Sequence, residues 1–112
     1  MSYCKVFISQ PMRGKTQEEI LERRNRIIEL IKETIDEPYI LDSFLTGAKD
    51  VDPLVCLGHA ITILSKADIV VFDVDWHESR GCRIEHLISE EYDKKFYYIK
   101  EENDTLQLIE IK

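Results

Sequence analysis

Short β-rich apolar runs alternate along this chain with longer stretches of helical periodicity, and that alternation limits the fold more than any other feature. Ile69-Val70-Val71-Phe72 is the clearest run, a continuous apolar tetrad of the kind found in strands buried on both faces. Residues 4–9, Cys-Lys-Val-Phe-Ile-Ser, read as a first, central strand, Tyr39-Ile40-Leu41 as a second and Phe96-Tyr97-Tyr98-Ile99 as a fourth. Thr105 to Ile111 alternate weakly, as a last strand at an edge would, after a turn over 101–104. Between the runs lie three helices. Thr16-Gln17-Glu18-Glu19 has the spacing of a capping box, and Ile20, Ile27, Ile31 and Ile35 follow on one side, with Pro38 closing the helix. Asp52-Pro53 opens a second helix, with Leu54, Leu57, Ile61 and Leu64 at near-helical spacing; Gly58 within it costs about 1 kcal/mol relative to Ala. A third is expected over 79–93, burying Ile84, Leu87, Ile88 and Tyr92.

Strands that alternate with helices imply right-handed crossovers and a short, mainly parallel sheet covered on both faces, a three-layer α-β-α arrangement. Ligands of such sheets bind outside the carboxyl ends of the strands, where the strand order reverses. That rule selects the loops at 9–15, 42–50 and 73–81.

At 112 residues the chain is expected to form one domain over 1–112. With 44% hydrophobic and 33% charged residues it has a globular composition. Its apolar runs fall far short of the roughly 20 residues of a membrane span, and its amino terminus carries no segment of signal-peptide length. A cytoplasmic location without membrane association is therefore expected. The net charge of −7 disfavours nucleic acid as a partner, while local cations can still hold a small anion. Cys4, Cys56 and Cys82, like His59, His77 and His86, show no metal-ligand or redox spacing, so neither a metal nor a cofactor is expected.

Two of the selected loops lead into helix amino termini. Ser9-Gln10-Pro11-Met12-Arg13-Gly14-Lys15 joins free backbone N–H groups, Arg13 and Gly14 in a form that suits a phosphate, though an ordinary β–α turn has the same pattern. In Ser79-Arg80-Gly81-Cys82-Arg83-Ile84-Glu85, Ser79 caps the helix and Gly81 lets a ligand approach the backbone. Glu85 stands one turn after Gly81, at the margin of the apolar face. There it is either a partly desolvated, reactive carboxylate or a boundary residue reaching water. Asp73 and Asp75 follow the third strand, so at least one of them is expected in the same crevice. Trp76 either stacks on a base or covers the edge of the core.

Val6-Phe7-Ile8-Ser9-Gln10-Pro11-Met12-Arg13-Gly14, Leu64-Ser65-Lys66-Ala67-Asp68-Ile69-Val70-Val71 and Ser79 through Glu85 together resemble the nucleoside 2-deoxyribosyltransferase-like superfamily over about residues 5–99. They look most like its small 2′-deoxynucleoside 5′-phosphate N-hydrolases. The resemblance implies a flavodoxin-like or Rossmann-like fold, a homo-oligomer, and a nucleoside or nucleotide substrate whose N-glycosidic bond is cleaved or transferred. It puts Glu85 at the nucleophile, Ser79 at the 5′-phosphate, and Met12-Arg13-Gly14 in the nucleotide-binding loop. Ser9, Gln10, Arg80 and Gly81 complete the expected substrate-binding set, and Asp73 is the candidate second catalytic group. The chain departs from the family at Phe7, where many members carry a Tyr, and at Gln10 and Leu87, where Gly is common. Ala60, beside His59, stands where the hydrolases place a carboxylate, and a lost acid is typically worth about 10²–10⁴-fold in rate. A non-catalytic nucleotide-binding or sensing module is the alternative that these departures suggest.

Overall fold

The computed structural model describes residues 3–42 and 52–111, so the candidate loop at 42–50 lies, from residue 43 on, outside the described residues. Along the chain come β1 (Cys4–Ser9), α1 (Gln17–Thr34), β2 (Pro38–Ile40), α2 (Pro53–Leu64), β3 (Ile69–Phe72), a 3-10 turn (Trp76–Glu78), α3 (Arg80–Glu91), β4 (Lys95–Glu102) and β5 (Thr105–Ile111). The five strands form one sheet in the order β2-β1-β3-β4-β5. The first four are parallel; β5 runs antiparallel to β4, which makes the sheet mixed.

The register places Ser9 beside Phe72, so β1 and β3 end together at one edge of the sheet. The chain leaves β1 for β2 on one side and enters β3 on the other, which makes the gap between β1 and β3 the switch point in strand order. Successive strand residues point to opposite faces, and both faces are covered. Val6, Ile8, Ile69, Val71 and Ile99 pack against Ile27 and Ile31 of α1. Phe7, Val70, Phe72 and Phe96 pack on the other face against Leu64 of α2 and Ala67, with Ile88 of α3 beside them.

Thr16 caps α1 reciprocally: its hydroxyl accepts from the Glu19 N–H at 3.0 Å, and the Glu19 carboxylate accepts from the Thr16 N–H at 2.9 Å. The helix ends at Thr34, and Pro38, expected to close it, instead opens β2. Asp52 caps α2, accepting from the Leu54 N–H at 2.8 Å.

Two expectations need correction. In α3 the buried residues are Cys82, Glu85 and Ser89, while Leu87 is 55% and Tyr92 75% exposed. The buried stripe follows the three- and four-residue spacing through small and polar side chains, and Ser89 turns its hydroxyl onto the Glu85 carbonyl at 2.8 Å. β4 is also longer than the apolar run at 96–99, because it forms a tight hairpin with β5. Asn103 and Asp104 both take left-handed backbone, with φ of 52° and 63°, as a two-residue turn of the primed type requires.

Candidate functional site

Strand parity decides which side chains meet beyond the switch point. Ser9 shares the side of Phe7, facing α2 and α3, and there its hydroxyl donates to Glu85 Oε1 at 2.7 Å. Glu85 is 7% exposed. Its other oxygen takes no donor from the described residues. Burial pushes the Glu85 carboxyl up to about 7 from the usual 4.5, against the opposing pull of the Ser9 hydrogen bond. Near neutral pH this group is thus divided between acid and carboxylate. Cys82 lies one turn earlier, and burial pushes its thiol up.

Glu85 lines a hollow of about 250 Å³. Pro53, Cys56, Leu57 and Ala60 of α2 form its apolar wall. Gln10, Met12 and Arg13 line it from the first loop, and Ser79 and Gly81 from the start of α3. A second hollow, of about 540 Å³, adjoins it and shares Arg13, Ser79 and Gly81 as lining. Ser79 caps α3 by accepting from the Cys82 N–H at 3.4 Å. A Cβ added to Gly81 would meet nothing nearer than Leu57 Cδ1 at 4.0 Å. Packing within the chain therefore does not require this glycine, and the space beside its backbone is open.

Most of the expected set comes together here: Glu85, Gln10, Met12, Arg13, Ser79 and Gly81 line the first hollow, and Arg80 lines the second. Ser9 differs in role, since its hydroxyl is spent on Glu85. Gln10 is 5% exposed and anchors its loop by donating from Nε2 to the Ile20 carbonyl at 2.9 Å. Gly14 stands outside the lining and turns the chain with φ of 80°. Phe7, which cannot orient a carboxylate, lines the hollow as an apolar wall; Ser9 supplies the hydrogen bond.

Asp73 does not join Glu85. It follows Val71 in parity, so its side chain points to the α1 side of the sheet. There it is 1% exposed and bound by Arg23, with Nη2 to Oδ1 at 2.7 Å and Nε to Oδ2 at 3.1 Å. The Val74 N–H also donates to Oδ1, at 2.7 Å. Asp73 raises the Arg23 pKa further and keeps that guanidinium charged. It is thus held in an ion pair away from the hollow where it was expected, and Asp75 instead lines the second hollow. Trp76 is also placed away from the first hollow, stacked on His86 at 4.0 Å and packed on Phe72 at 5.6 Å, so it covers the core edge.

The sequence reading missed the α2 wall and Arg23. A signal for the first was available: α2 is apolar around most of its circumference, more than one buried stripe needs. Among the described residues no helix is long and apolar enough to cross a membrane. No protein-family model, curated protein or solved structure matches this chain.

Proposed function

We propose that the Glu85 hollow, with the wall it shares with the second, holds the nucleoside and first phosphate of a nucleoside or nucleotide, and that Glu85 acts as nucleophile on its N-glycosidic bond. The observation that carries this reading is a buried carboxylate, oriented by Ser9, opening on a hollow that also presents Arg13 and the amino end of α3. The order of the four parallel strands, 2-1-3-4, supports the flavodoxin-like fold that the resemblance implies.

In this reading the phosphate sits at the shared wall. Arg13, the Ser79 hydroxyl and the free N–H groups of the first turn of α3 face it there. The sugar lies beside Gly81, whose open flank admits it to the backbone. Glu85 in its ionised form attacks the anomeric carbon as the C–N bond breaks, and the base departs with the bonding electrons. The transition state has oxocarbenium character, which the carboxylate stabilises. The resulting glycosyl ester is then opened by water, or by a second base, releasing Glu85.

Glu85 is the one carboxylate among the described residues lining the first hollow. The departing base therefore takes its proton from solvent, and turnover is expected to be slow. The same observation favours the second reading, a module that binds a nucleotide without cleaving it.

The deciding experiment is base release from a panel of deoxyribonucleoside and ribonucleoside monophosphates. Release that disappears in Glu85→Ala supports the nucleophile. Equal release by this variant overturns it, and tight binding with no release over days selects the binding module.

A further inference from the structure

The second hollow is lined by four cations, Arg13, Lys15, Arg80 and Arg83, against two carboxylates, Asp75 and Glu78. Such a concentration of positive charge is unexpected in a chain of net charge −7. Asp75 is already engaged by Lys15 at 3.1 Å. Four arginines are committed within the fold: Arg23 to Asp73 and Glu101, Arg24 to the Leu41 carbonyl, Arg26 to the Asp104 carbonyl and Arg83 to the His77 carbonyl. Arg13 and Arg80 have neither a hydrogen bond nor an ion pair among the described residues. Both line the same cavity, and its volume of about 540 Å³ is more than twice the 250 Å³ of the hollow that holds Glu85.

One phosphate at the shared wall would use Arg13, Ser79 and the start of α3. It would leave Lys15, Arg80 and Arg83 facing a cavity with no counter-charge beyond Glu78 and the paired Asp75. Planar guanidinium groups match phosphate oxygens in pairs, and a cleft lined by one sign of charge concentrates the opposite ion. We propose that this cavity takes the outer phosphates of a condensed phosphate chain, so that the ligand is a nucleoside di- or triphosphate. This deepens the reading of the Glu85 site and rests on it for the nucleoside end of the ligand; the phosphate end stands on the cations alone.

Calorimetric titration with orthophosphate, pyrophosphate and tripolyphosphate, at fixed ionic strength without divalent metal, tests the phosphate end without presuming a base. Affinity is expected to rise about tenfold or more from orthophosphate to tripolyphosphate, the worth of one or two charge-assisted hydrogen bonds. In Lys15→Ala/Arg80→Ala, and separately in Arg80→Glu, that ratio is expected to collapse toward about one. Lys32→Ala, on α1 and away from the cavity, serves as the charge control and keeps the ratio. The proposal is overturned if orthophosphate and tripolyphosphate bind alike, if none of the three anions binds, or if the cavity variants retain the ratio. The two readings fail separately. A ratio that depends on Arg80, with no base release from any nucleotide, leaves the cavity standing and removes the reaction. Glu85-dependent release that is equally fast from mono- and triphosphates, and indifferent to Arg80, does the reverse.

Discussion

Burial of Glu85 sets the stability of the fold against the ionised form that the proposed reaction needs. Its folded-state pKa of about 7 lies above the ordinary 4.5, so between those values the folded protein binds more protons than the unfolded chain. Stability from this group is therefore complete below about pH 4.5 and is lost as pH rises through about 7, by roughly 3 kcal/mol in all. Glu85→Gln keeps an acceptor for Ser9 and removes the buried charge. It is expected to melt above the parent at pH 8 and together with it at pH 4, in thermal denaturation followed by circular dichroism. If Glu85 is the nucleophile proposed, base release in the parent is expected to rise with pH through about 7, as it ionises. Ser9 favours the charged form, so Ser9→Ala is expected to move the Glu85 midpoint further up, read by carbon NMR of the labelled carboxyl. A midpoint that stays put or falls would show that the hydroxyl does not hold the carboxylate.

At the scale of elements, those with local signals were legible and those decided by tertiary contact were not. The capping box at Thr16 and Glu19 was readable because both partners lie within one turn, and the structure forms both of its hydrogen bonds. Thr16→Ala is expected to cost about 1 kcal/mol, read as a lower urea midpoint. The strands β1 and β3 were readable as strands, since their apolar runs are continuous. That same continuity hid which face each residue takes: with both faces buried, hydrophobicity carries no alternation. Hence Ser9 and Asp73, each just at or past a strand end, could not be assigned to opposite sides before the packing of α1, α2 and α3 was known. The buried stripe of α3 was obscured for a related reason. Glu85 and Ser89 occupy positions that apolar residues would ordinarily mark, while Leu87 and Tyr92 face outward.

For the whole molecule, the sheet separates two kinds of electrostatics. On the α1 side Arg23 ties α1 to the exit of β3 through Asp73 and to β4 through Glu101, at 2.7 and 3.1 Å. Removing one partner of such a pair leaves a buried charge without its counter-ion, so Arg23→Ala is expected to lower the unfolding free energy by about 3 kcal/mol in urea. Nucleotide affinity is expected to stay within about twofold, as for distant sites that act independently. On the other side lies the hollow that Glu85 and Arg13 line. Gly81 shows what this separation permits. A methyl there meets only Leu57 Cδ1, at 4.0 Å, so Gly81→Ala is neutral or favourable to the helix yet intrudes where the sugar is proposed to lie. Folding by itself makes no demand for glycine at this position, whereas a guest lying against the backbone, as proposed, would make one.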